Sequence, residues 1–169
     1  MNKNIYIVGF MGTGKSTVGK ILSSKLKMKF VETDDIIEKK ENMKITDIFS
    51  KKGERYFRAV EKKVLKEISA RDNLIVSCGG GIIIDEDNVS IMKNTGAIVC
   101  LEADDKTIYE RVKKDKSRPL LNVSDPVRRI RELLEARAPF YERADIFIDT
   151  AGVSPGGVAS RIIHGLGNV

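Results

Sequence analysis

Tryptophan is absent, histidine occurs once and cysteine twice in these 169 residues. Each scarcity excludes something. Cys78 and Cys100 show no CxxC spacing, so they build neither a disulfide framework nor a four-ligand zinc site. A single histidine, His164, cannot seed a metal cluster; it and both cysteines read as packing residues. Aromatics make up 6%, too few for a platform on which nucleic-acid bases stack, so no nucleic-acid partner is expected. No apolar run approaches the roughly 18 residues that span a bilayer. The opening MNKNIYIVGFMG lacks the features of a secretion signal. A cytoplasmic chain without membrane contact is expected, as a monomer.

What is present points to a compact fold. Hydrophobic residues are 41% and charged residues 32%, enough for one buried core and a well-solvated surface, so 1–169 reads as a single domain. Lys and Arg number 30 against 24 Asp and Glu. The formal +6 is uneven, because residues 111–143 hold 10 basic groups and 5 acidic ones. A basic excess confined to one stretch suggests an anionic ligand nearby.

Strand-like and helix-like segments alternate. The runs 5–8, 29–31, 74–78, 97–101 and 146–148 are short and apolar, and between them lie stretches with helical spacing, such as Val18, Ile21, Leu22 and Leu26. Residues 35–69 read as helical, with breaks near Asn42 and at Gly53. Asp85, Asp104 and Ser154-Pro155 mark helix starts. Strands that are apolar on both faces belong to a parallel sheet covered by helices, an α/β architecture. The polar, basic stretch 113–125 has no strand of its own and reads as a functional loop or as disordered.

The strongest chemical signal is Gly9-Phe-Met-Gly-Thr-Gly-Lys15-Ser16, which matches G-x-x-x-x-G-K-[ST] between a strand and a helix. Such a loop turns backbone N–H groups toward phosphates at the positive end of a helix. Lys15 then reaches the β and γ phosphates and Ser16 ligates magnesium. No Asn-Lys-x-Asp run is present, which favours ATP as the nucleotide. Strand 74–78 ends in Cys-Gly without an acid, whereas strand 29–31 runs into Glu32-Thr33-Asp34, and period-2 alternation puts Glu32 and Asp34 on one side. Asp34 reads as functional and Asp35 as a helix cap. Arg137 sits on a stripe with Ile130, Leu134 and Tyr141, where it either pairs with an anion or snorkels past Pro139. Arg58 is spaced for ordinary surface pairing with Glu54 and Glu61. Gly79-Gly80-Gly81 offers bare N–H groups at the carboxyl end of a strand.

Together these residues resemble shikimate kinase. The likeness is carried in order by GFMGTGKSTVGKILSSKL at 9–26, TDDIIE at 33–38, GERYFRAVE at 53–61, CGGG at 78–81, RPLL at 118–121 and RAPFYERAD at 137–145. It implies a three-layer P-loop fold of the nucleoside-monophosphate-kinase type with a five-stranded parallel sheet. The implied reaction is ATP-dependent phosphorylation of the 3-hydroxyl of shikimate, a step toward chorismate, with magnesium as cofactor. It further implies substrate helices at about 34–62 and a lid at about 113–125. Catalysis would rest on Asp34 as base together with Lys15 and Arg118. ATP would be held by Gly12, Thr13, Gly14, Lys15, Ser16 and Thr17, with Arg118 on the phosphates and Arg111 beside the adenine. The substrate carboxylate would meet Arg58 and Arg137, and its ring Gly79, Gly80 and Gly81 and a wall of Ile45, Phe49 and Phe57.

Two positions depart from that family. Glu32 stands where it usually has Asp, which holds magnesium through water, and Gly152-Val153-Ser154-Pro155 lacks the basic residue that often precedes this proline. The alternatives are another small-molecule P-loop kinase, of gluconate- or adenylate-kinase type, or a non-catalytic nucleotide-binding module.

Overall fold

The computed structural model describes residues 3–114 and 123–167. Most of the expected lid, with Arg118, lies outside the described residues.

The elements run β1 Asn4–Gly9, α1 Lys15–Leu26, β2 Lys29–Glu32, α2 Thr33–Glu41, α3 Ile45–Ser69, β3 Leu74–Ser77, a 3-10 turn Ile82–Ile84, α4 Glu86–Thr95, β4 Gly96–Glu102, α5 Asp105–Val112, α6 Pro126–Tyr141, β5 Ile146–Asp149 and α7 Pro155–Leu166. The five strands form one parallel sheet in the order β2-β3-β1-β4-β5. The chain leaves β1 toward β2 on one side and crosses after β3 to β4 on the other. A crossing of that kind opens a crevice at the carboxyl ends of the central strands.

Alternate side chains of each strand serve the two faces. Ile5, Ile7, Ile75, Val99 and Leu101 pack with Val18 and Leu22 of α1 and with Val158, Ala159 and Ile162 of α7. Tyr6, Val8, Val76 and Ile98 pack with Val64, Leu65 and Ile68 of α3 and Met92 of α4. Burial on both faces is the reason β1, β3 and β4 carry no polar alternation, whereas β5 at the sheet edge buries Ile146 and Ile148 and exposes Phe147. A third cluster joins Phe10, just beyond β1, to Ile108 and Val112 of α5 and Ile130 of α6.

Several local expectations change. The second helix starts at Thr33, two residues early, and Asp35 does not cap it: Glu32 occupies the N-cap position without a side-chain cap bond. The break at Gly53 is a kink within α3, where φ is 81° and ψ 167°. Pro139 lies inside α6, two residues before its end at Tyr141. His164 is exposed on α7 instead of packing, whereas both cysteines are buried.

Candidate active site

A cavity of about 450 Å³ opens at the carboxyl ends of β1, β2 and β3. Its floor is the loop between β1 and α1. Gly14 caps α1 with φ 92°, a left-handed conformation that a side chain would strain, and this turn aims the first amides of α1 outward. Lys15 Nζ folds back onto the carbonyls of Gly9 (2.9 Å) and Phe10 (3.0 Å). Gly12, Ser16 and Thr17 line the cavity. Thr13 does not; it is buried, and its hydroxyl donates to the Phe10 carbonyl at 2.8 Å, bracing the loop from within.

Three carboxylates enter from one side: Glu32, Asp34 and Glu61. Glu32 and Asp34 do share the cavity, but not by strand alternation, because β2 ends at Glu32 and Asp34 lies in the first turn of α2. Glu32 accepts a short hydrogen bond from the Ser16 hydroxyl. Burial holds the Asp34 carboxyl above its ordinary range against the pull of Lys15, with Glu32, Asp35 and Glu38 adding to the rise.

Glu61 is a cavity carboxylate that the sequence did not single out. Its spacing from Arg58 suggested a surface pair, yet its side chain is 0% exposed. Oε2 accepts from Arg58 Nη1 at 2.8 Å, while Oε1 is buried with no partner among the described atoms. Burial pushes its carboxyl up to about 7; Arg58 opposes the shift, and Asp34 and Asp85 reinforce it. Arg58 itself is held above its usual value: burial works against its charge, but Glu61 and Glu54 outweigh burial.

Arg137 faces the same cavity from α6. Its guanidinium lies 5.4 Å from the centre of the Phe10 ring, beside Gly80, and the Tyr141 hydroxyl next to it donates to the Gly80 carbonyl at 2.8 Å. A guanidinium packed over a ring in the cavity lining is placed differently from a snorkelling surface arginine. Burial, only partly countered by Arg137, raises Tyr141 to about 12, so it remains a neutral donor. A Cβ on Gly81 would meet the Arg58 guanidinium, which would have to shift to make room. A Cβ on Gly79 would crowd Asp34 Oδ1 and Glu61 Oε1, each at 3.0 Å. The Gly79 N–H is not bare as expected, since it donates to Thr33 Oγ1 at 3.0 Å.

Ile45, Phe49 and Phe57 form the apolar wall, with the two rings 4.5 Å apart. Glu38 sets the wall's position by accepting from the Ile45 N–H at 3.0 Å, at the start of α3. Arg111 stands apart from the cavity lining. It donates to the carbonyl of Gly12 and to both oxygens of Thr150.

The Ser16 hydroxyl and Glu32 carboxylate make an all-oxygen pair, the donor chemistry that suits magnesium, which takes few protein ligands and keeps its waters. Among the described residues no helix is long and apolar enough to cross a membrane.

Comparison with known proteins agrees with this geometry. Residues 11–166 match the family described as shikimate kinase. A shikimate kinase of Thermodesulfovibrio yellowstonii is 46% identical over 161 residues, 95% of this chain and 93% of that protein. The shikimate kinase of Acinetobacter baumannii, solved in complex with shikimate, superposes with TM-score 0.92 at 38% identity over 98% of this chain and 93% of the other. A gluconokinase of Sinorhizobium meliloti, with TM-score 0.63 and 18% identity over 99% of this chain and 93% of the other, shares the fold alone.

The buried acid carries a signature in stability. A folded-state pKa above the unfolded one means that the native state binds the extra proton, so stability falls as pH rises from about 4.5 to about 7. Glu61→Gln should flatten that slope, leaving the smaller contribution of Asp34. Urea unfolding between pH 5 and pH 8 checks this; an unaltered slope would show that Glu61 does not titrate in that window.

Proposed function

The chain belongs to the shikimate kinase family, and we propose that it transfers the γ-phosphoryl group of ATP to the 3-hydroxyl of shikimate. The observation that carries this reading is the pairing of two guanidinium groups, Arg58 and Arg137, with a buried acid in one cavity beside a phosphate-binding loop. A gluconate-type acceptor, an open-chain polyol acid, would use both arginines but has no ring to set against the wall of Ile45, Phe49 and Phe57.

In this reading the loop amides of Gly12, Thr13 and Gly14, with Lys15, Ser16 and Thr17, cradle the phosphates. Arg58 and Arg137 take the substrate carboxylate, since planar guanidinium forks match it bidentately. Gly79, Gly80 and Gly81 let ring hydroxyls approach the backbone. Asp34 accepts the proton as the sugar-like oxygen forms its bond to phosphorus and the bond to the β-bridging oxygen breaks. Its raised pKa makes it a better proton acceptor near neutrality than an exposed carboxylate. Arg118 closes from 113–125 onto the transferring charge, and the closed site excludes water. Arg111 flanks the adenine; its hydrogen bonds lie in the guanidinium plane and leave the faces for stacking. Ser16 and Glu32 would hold magnesium, Glu32 through water, and the metal would neutralise phosphate charge.

The direct test is ATP consumption by the intact protein with shikimate, gluconate, AMP or no acceptor. Stimulation by shikimate alone supports the reading, and equal stimulation by gluconate or AMP removes it. Arg137→Ala should raise the shikimate KM at least about 30-fold, as for loss of a buried charge-assisted contact, and change the ATP KM far less. Equal shikimate affinity in calorimetry would contradict the carboxylate clamp.

Glu32 reaches about one C–C bond farther than an aspartate, on the order of 1.5 Å, a difference that a bridging water absorbs. Glu32→Asp should therefore stay active, while Glu32→Ala should raise the half-saturating magnesium concentration about 10- to 100-fold. An unchanged magnesium titration of the initial rate in Glu32→Ala would take Glu32 out of the metal site.

A further inference from the structure

Thr150 follows β5, is 2% exposed, and does not line the cavity. Its backbone N–H (2.9 Å) and its hydroxyl (2.8 Å) both donate to the Glu102 carbonyl at the end of β4. A hydroxyl has one proton to give, and this one is spent on Glu102, so its oxygen can only accept from a third group. Arg111 supplies that donor: Nη1 reaches Thr150 Oγ1 and Nη2 reaches the Thr150 carbonyl, each at 2.9 Å. Nη1 also reaches the Gly12 carbonyl at 3.1 Å.

The bond to Gly12 matters beyond its own strength. The peptide between Gly12 and Thr13 is planar and trans, so a carbonyl held by Arg111 turns the Thr13 N–H the opposite way. One guanidinium thus ties the ends of β4 and β5 to the phosphate-binding loop. Its own direction is dictated by a buried threonine whose hydroxyl cannot rotate without breaking its bond to Glu102.

We infer that Thr150 is a positioning residue for nucleotide binding, acting through Arg111 on both the Gly12–Thr13 peptide and the surface offered to the base. This rests on the reading of Arg111 as the base-flanking residue. Lysine cannot replace the arginine, because one ammonium does not span Gly12 and both oxygens of Thr150 with planar geometry.

Steady-state kinetics on the full chain tests the inference. Thr150→Val keeps the side-chain shape and removes the hydroxyl; it should raise the ATP KM about tenfold, with kcat and the shikimate KM within about twofold. Thr150→Ser should restore the wild-type ATP KM. Arg111→Ala and Arg111→Lys should both raise it, and adding Thr150→Val to Arg111→Ala should change nothing further. Thermal unfolding of each variant separates loss of fold from loss of position. If Thr150→Val is too unstable to assay, Thr150→Ser and Arg111→Lys carry the comparison.

An ATP KM raised by Arg111→Ala but untouched by Thr150→Val overturns the inference. So does the same increment from Thr150→Val with and without Arg111, a failure of Thr150→Ser to restore the wild-type value, or a wild-type ATP KM in Arg111→Lys. If Arg111→Ala itself leaves ATP binding intact, the base-flanking reading of Arg111 fails first, and the role of Thr150 falls with it.

Discussion

Glu61, fully buried, and Arg58, partly buried, form an ion pair at 2.8 Å, and one side of the cavity is arranged around it. A carboxyl group withdrawn from water stays ionised only with a cation against it. That cation is half-exposed and faces the same cavity, so it is available to a second anion. Gly81 lies against the pair as well, because a Cβ there would meet the guanidinium, which would have to shift. Around it, Lys15, Arg58 and Arg137 face Glu32, Asp34 and Glu61.

The scaffold supplies distance and direction. Parallel strands end together at one edge, and the crossing between β3 and β4 leaves space above β1, where the phosphate-binding loop begins. Phe10 links that loop to α5 and α6, and its ring also carries the Arg137 guanidinium. The kink at Gly53 splits α3 into a portion with Ile45 and Phe49 and a portion with Phe57, Arg58 and Glu61, so one helix furnishes both the apolar wall and the charged floor.

Much of this was legible in the sequence. Gly9 to Ser16 combines a pattern with its context, and continuous apolar strands indicate a sheet covered on both faces. Arg137 was open between two readings because helical spacing shows a stripe but not the ring over which the guanidinium packs. Glu61 was misread for a related reason: an i, i+3 pair looks the same on a surface as in a core, and only packing of α3 against the sheet buries it. Thr150 carried no signal at all, since a threonine after a strand is ordinary until Glu102 and Arg111 meet it. His164 shows the converse, an apparent packing residue that the helix turns outward.

In the proposed function a carboxylate on the acceptor completes the charge pattern set by Glu61, Arg58 and Arg137. Calorimetric titration of the intact protein with shikimate and with its methyl ester tests it most directly, because the ester keeps the ring and hydroxyls and loses only the charge. The ester should bind at least about 30-fold more weakly, the loss expected for a desolvated charge-assisted contact. Equal affinity for acid and ester would contradict it.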